Sequence, residues 1–186
     1  HFVNEDSPLL VHLGQALPRV AQRRRAPGAR HETVSFSLAG QVAGINAARS
    51  DGLTLTSTTL LDGEAPPAVA WPHPLVVQDA LRGGDLDDVL ERLRRAPRTG
   101  SWSVLLSSAD EGRAHYLEYD GARLLRDAPV EGPIVTTNHA VDPRPRTPDH
   151  SAYRCARARA LVPEARDVAG AQAFLRDRHD LERGRE

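Results

Sequence analysis

The stretch from Glu32 to Thr59 constrains this chain most. Val34, Phe36 and Leu38 alternate with Thr33, Ser35 and Ser37, the period-two pattern of a strand with one buried face. Gly40 interrupts it, and Val42-Ala43-Gly44-Ile45 is a second short apolar run. Ser50-Asp51-Gly52 is a turn signal: short polar side chains bond nearby backbone, and glycine reaches positive φ without a clash. Leu53, Leu55 and Ser57 then alternate with Thr54 and Thr56. Residues 34 to 60 are therefore expected to form antiparallel strands with tight turns.

The rest of the chain is read around that block. Pro8 to Leu13 is a short apolar strand candidate, and Pro18 argues against a long helix there. Arg23-Arg24-Arg25, followed by Ala26-Pro27-Gly28, is expected to be a loop, either solvated or anion-binding. Residues 60 to 74 carry four prolines and should be irregular, followed by a short helix over Leu75 to Leu81. Gly83-Gly84 ends it. Asp85 caps the next helix, in which Leu86, Val89, Leu90 and Leu93 share one face. Strands are expected at Trp102–Leu106, His115–Tyr119 and Ala122–Leu125, the last two joined at Asp120-Gly121, and a fourth at Ile134–Thr137. A proline-rich loop over 143 to 148 precedes a helix capped by Asp149 or Ser151 and running to about Val162, then a last helix over about Val168 to Leu175. Runs of strands alternating with runs of helices argue for an α+β layered fold in a single domain, 1–186, and against a parallel sheet.

Composition narrows the function classes. The formal net charge is -1, so nothing global favours a nucleic-acid or membrane-surface partner. Every basic residue is arginine, and this lysine-free usage, rich in arginine, alanine, proline and glycine, suggests a GC-rich bacterial genome; methionine is absent, so His1 is not expected to be a translation start. One cysteine, Cys155, excludes an intrachain disulfide and suits a reducing cytoplasm, where the protein is expected. No apolar run approaches the roughly 20 residues that span a bilayer. His31-Glu32 is not a zinc-protease motif, since the fifth residue is Ser35, and Gly100-Ser101-Trp102-Ser103-Val104 does not form a nucleophile elbow. Phosphate loops, dinucleotide fingerprints and metal-ligand spacings are missing too, so no cofactor is expected.

An ordered set of segments over residues 34 to 179 resembles the family of acyl-coenzyme A:6-aminopenicillanic acid acyltransferases, which are self-processing cysteine enzymes. These segments are Gly44-Ile45-Asn46-Ala47 with Gly52-Leu53-Thr54-Leu55-Thr56, the helix Leu86 to Leu93, Ser103-Val104-Leu105-Leu106 through Glu118, Ile134-Val135-Thr136-Thr137-Asn138-His139, Ser151-Ala152-Tyr153-Arg154 and, loosely, Arg176-Asp177-Arg178-His179. The threonine-asparagine-histidine segment is the most specific.

The resemblance implies an αββα sandwich of the N-terminal-nucleophile hydrolase type, made by autocatalytic processing and here expected to be incomplete at both ends. It implies a cysteine nucleophile at a newly exposed N-terminus, whose free α-amine, with a pKa of roughly 7.7–8, serves as base. The substrate would be a linear amide or an acyl-CoA-like molecule, with hydrolysis and acyl transfer both open. Asn138 would donate to the oxyanion; the other reading of it is a turn asparagine. The backbone N–H at Thr58 or Thr59 would be a second donor, the other reading being ordinary strand threonines, and Arg154 would hold the nucleophile region or the substrate, the other reading being a helix-surface arginine. Cys155 reads as a small packed residue, and His139 and Asn46 as structural. No cysteine lies near His1, and Val3 stands where the family often has aspartate. Two alternatives therefore stay open: a domain that keeps the fold but only binds or assembles, and a relative of the choloylglycine and penicillin V amidases.

Overall fold

The computed structural model describes residues 19–25, 27–39, 41, 43–61, 69–121, 123–141 and 149–177. The strand candidate at Pro8–Leu13 and the loop over 143 to 148 lie outside them. Seven strands follow one another: β1 (Arg19–Arg24), β2 (Thr33–Leu38), β3 (Asn46–Arg49), β4 (Leu53–Thr59), β5 (Ser101–Ser108), β6 (Arg113–Asp120) and β7 (Arg123–Pro129). They form one sheet in sequence order, with every neighbour antiparallel. Helices α1 (His73–Ala80) and α2 (Leu86–Arg95) sit between β4 and β5, and α3 (Asp149–Leu161) and α4 (Val168–Arg176) follow the sheet.

Several expectations change. In β2 the expected faces are inverted, with Ser35 buried and Phe36 exposed, and β3 is Asn46–Arg49, just past the apolar run at 42 to 45. Arg23 and Arg24 belong to β1, paired with Val34 and Thr33, not to a loop. An edge strand tolerates arginine because its side chains reach solvent, and charge there blocks pairing with other chains. Residues 134 to 137, expected as a strand, lie outside the sheet's ladders. Ser151 lies inside α3, which begins at Asp149.

Alternation decides what the sheet buries. Leu53 and Leu55 of β4, Val104 and Leu106 of β5, and Leu117 and Tyr119 of β6 turn to one face. There they pack on Val76, Val77, Ala80, Val89, Leu90 and Leu93 of the first two helices. Helix α2 holds its register through Asp85, whose carboxylate accepts from Asp88 N–H at 2.8 Å, with Asp87 and Asp88 at its positive end and three arginines in its last turn. The opposite face carries Thr54, Thr56, Thr58 and Phe36, the last 65% exposed. Gly44 lets the chain enter β3, because a Cβ there would stand 2.2 Å from the Phe36 carbonyl oxygen.

Two buried polar groups tie sheet to helices. The Arg49 guanidinium donates to the carbonyls of Leu81, Gly83 and Gly84 in the α1–α2 turn and to the Asp51 carboxylate. The His73 ring stacks on Trp102 at 4.0 Å and shares a hydrogen bond with the Tyr119 hydroxyl. Burial pushes the His73 imidazole down to about 3, so it is neutral in the fold.

Removing the guanidinium in Arg49→Met strands a carboxylate and three carbonyls, and should lower urea-unfolding stability by about 3 kcal/mol. His73 predicts a pH effect of definite sign. Above pH 6.5 the side chain is neutral in both folded and unfolded states and contributes no slope. Below that the unfolded chain takes up the proton and the folded one does not until about pH 3, so stability falls as pH falls, by up to about 1.4 kcal/mol per unit. The difference in stability between the parent and His73→Asn, followed by urea unfolding from pH 7 to pH 4, should show that slope. A flat difference would exclude His73 as its source.

Candidate functional site

The site is built where β4 runs past the end of β3. Strand β3 stops at Asn46 and meets β4 only at Leu55 and Thr54, so the later half of β4 has an unpaired side. Antiparallel pairing shows which residues use it. Leu60 N–H donates to the Ser101 carbonyl, and Gly52 and Thr58 are opposite Ala109 and Ser103 in the same register. Bonded pairs alternate along such a ladder, so the peptide groups of Thr58 point to β5 and those of Ser57 and Thr59 point away from it. Ser57 N–H accordingly donates to the Asn46 side-chain oxygen at 2.9 Å.

Asn138 occupies the gap beyond. Its backbone carbonyl accepts from Leu61 N–H at 2.9 Å, and its side-chain Nδ2 donates to the Thr59 carbonyl at 3.0 Å. The Asn138 Oδ1 accepts from Arg154 Nη2 at 2.6 Å. A guanidinium has no acceptor, so this contact fixes which end of the amide is oxygen. Nδ2 therefore faces Thr59, and its second hydrogen has no bond among the described residues. Arginine bonded to the amide oxygen also polarises the group and makes its N–H the stronger donor.

Of the site residues expected from the sequence, Asn138 and Arg154 are in direct contact, and Thr58 lies one residue from the carbonyl that Asn138 bonds. Thr59 shares the Asn138 side of the strand. Its N–H points the same way as its carbonyl, a one-residue distinction that only the register resolves. Asn46 borders the same gap and holds Ser57. His139 is buried, with Nδ1 2.8 Å from Ser151 Oγ and 3.1 Å from Thr137 Oγ1. Sequence reasoning did not single out Thr137 or Ser151 as partners of this histidine, although both lie in the segments that carry the resemblance. Glu118 was also missed. Its buried carboxylate accepts from Val141 N–H and the Tyr116 hydroxyl, both at 2.6 Å, and so fixes the far end of the Asn138 segment. Cys155 is buried on α3. Among the described residues, no cluster of three or more metal-ligating side chains occurs, and no helix is long and apolar enough to cross a membrane.

Sequence comparison finds no matching family model and no matching curated protein. Comparison of structures does find similar proteins. An N-acylethanolamine-hydrolysing acid amidase orthologue from Caenorhabditis elegans superposes with a TM-score of 0.63 at 10% identity, over 95% of this chain and 79% of that one. Penicillin V acylase from Agrobacterium tumefaciens gives 0.45 at 12% identity, over 77% of this chain and 46% of the other. A variant of conjugated bile acid hydrolase from Clostridium perfringens gives 0.49 at 12% identity, over 78% and 50%. The similarity to the first is one of fold alone, a mixed helix and strand fold.

A thiol with 5% exposure should not meet reagent in the folded protein. Cys155 should therefore react with Ellman's reagent only at the rate at which the protein opens, and at once in denaturant. Fast stoichiometric labelling of Cys155 in the native state would contradict its placement.

Proposed function

We propose that this chain carries the oxyanion-stabilising part of a cysteine-dependent amidase or acyltransferase. The observation that carries the reading is the chain of contacts from Arg154 through Asn138 to Thr59 at the open side of β4. Asn138 Nδ2 and the Thr59 backbone N–H are two donors on one side of a rigid strand end, with a cation behind the first. That is what a developing negative oxygen requires, because donors fixed in advance need no reorganisation as charge forms.

The reading requires a nucleophile other than Cys155: a cysteine freed as an N-terminal residue by self-processing, with its own α-amine as base. Thiolate attack on a linear amide forms the C–S bond and moves the carbonyl π electrons to oxygen, where Asn138 and Thr59 meet them. Collapse of the tetrahedral intermediate breaks the C–N bond. The amine leaves with the proton taken from the thiol, and the thioester passes to water or to an acceptor amine. Cys155 has no part in this, since it is buried in α3. The second sheet of an αββα sandwich would cover the face bearing Phe36, Thr54, Thr56 and Thr58. A reduced thiol suits the cytoplasm, and the substrate is a small amide or acyl-CoA-like molecule.

The test uses the full-length protein and a series of N-acyl-7-amino-4-methylcoumarins, from acetyl to decanoyl, with release of the fluorescent amine as the signal. Asn138→Ala should lower kcat by roughly 10²–10³ with a smaller change in KM. Asn138→Asp should do at least as much harm, because a carboxylate repels the oxyanion. Full kcat with a lowered melting temperature would show a structural asparagine and end the oxyanion reading. An intact-mass measurement that finds the cysteine still internal in an uncleaved protein would favour a non-catalytic domain.

A further inference from the structure

We infer that Thr137, His139 and Ser151 form the positioning element that holds Asn138 and Arg154 in register, an inference that rests on the oxyanion reading of Asn138. Thr137 and His139 are both buried, while Asn138 between them is partly exposed and reaches the β4 end. Inside, the two meet Ser151, which is fully buried on the first turn of α3. Ser151 and Arg154 are three positions apart on that helix and so share a face. The Asn138 segment is therefore tied to one stripe of α3 twice: inside through Ser151, and at the site through Arg154.

The inner tie has a self-consistent proton arrangement. Thr137 Oγ1–H donates to the Ser151 carbonyl at 3.1 Å. Ser151 Oγ–H then donates to Thr137 Oγ1, also at 3.1 Å. With the proton on Nδ1, His139 donates to Ser151 Oγ at 2.8 Å, and it meets Thr137 Oγ1 at 3.1 Å as a shared second acceptor. Every contact in the cluster then has a donor facing an acceptor, which a buried polar group needs if it is not to destabilise the fold. Three buried groups bonded to one another leave the helix little freedom to slide along the segment. If the tie is cut, Arg154 can drift from Asn138 Oδ1, the amide can turn, and Nδ2 no longer points at a fixed place. A displacement of about 1 Å at a reacting centre costs on the order of 10²-fold in rate.

The experiment pairs kinetics with a direct view of Asn138 in the full-length protein. Thr137→Val and His139→Ala cut the tie. Thr137→Ser restores the hydroxyl, and His139→Asn places a polar atom near the Nδ1 position. Turnover of the N-acyl-7-amino-4-methylcoumarins should fall in kcat by roughly 10–100-fold in the first pair with KM within about threefold, and recover most of that loss in the second. In the ¹⁵N-labelled protein the two side-chain N–H signals of Asn138 should be sharp and separate in the parent, broaden in Thr137→Val and His139→Ala, and sharpen again in the conservative variants. Unchanged Asn138 signals in Thr137→Val overturn the inference whatever happens to kcat. Broadened signals alongside parental kcat in Asn138→Ala would leave the positioning standing and remove the oxyanion reading. If His139→Ala does not fold, the comparison of Thr137→Val with Thr137→Ser decides alone.

Discussion

The arrangement depends on how an irregular segment inside a protein satisfies its polar groups. Residues 137 to 141 have no ladder of their own, yet Thr137, His139 and Ala140 are buried. Each polar group in such a place needs a partner, since a buried unpaired one costs about 1–3 kcal/mol. The partners come from three directions. Strand β4 supplies Leu61 N–H and the Thr59 carbonyl through its continuation, β6 supplies the Glu118 carboxylate, and α3 supplies Ser151 and Arg154. Satisfying this segment therefore fixes α3 relative to the sheet, and a site at the junction inherits that fixity.

The helix layer is joined to the other face of the sheet on different terms. There the contact is apolar, from Leu53, Leu55, Val104 and Leu106 to the leucines and valines of α1 and α2. Arg49 fixes the turn between those helices through carbonyls alone, while Asp51 takes the rest of its charge. Apolar packing is non-directional, and the guanidinium adds direction at one point. The sheet thus has one face that provides stability, while the candidate site lies where β4, in the middle of the sheet, runs past the end of β3.

What the sequence disclosed follows from that division. The strands β2 and β4 to β6 and the helices α1, α2 and α4 were located from their apolar residues; β4 and α2 were the clearest because each buries one face at a fixed period, and Asp85 marks its helix start by a local bond. In β2 the alternation located the strand but inverted its faces, since Ser35 is buried and Phe36 exposed. Strand β1 was not located, because Arg23 and Arg24 on an exposed edge look like a solvated loop. Residues 134 to 137 misled in the other direction. Isoleucine, valine and threonine favour a half-buried extended surface, which a segment outside the ladder also offers. Asn138 and Arg154 were named from resemblance, but that they touch is a property of α3 docking. The choice between Thr58 and Thr59 turns on strand parity, which one residue reverses and no local pattern records.

The strict sequence order of the sheet has a kinetic side. Each strand pairs with the next, so most of the sheet can form by closing short loops, the kind of local contact that speeds folding. The bond from Asn138 to Thr59 instead spans 79 residues and encloses α1, α2 and three strands. Closing a loop of that length rather than one of about ten residues adds roughly 2 kcal/mol of chain entropy if nothing inside is yet ordered. Once the helices and hairpins have formed, the same ends are already near each other and most of that entropy is gone. The folding order with the lowest entropic cost therefore builds the scaffold first and brings Asn138 to the Thr59 end of β4 last, so that assembly of the candidate site reports completion of the sheet beneath it.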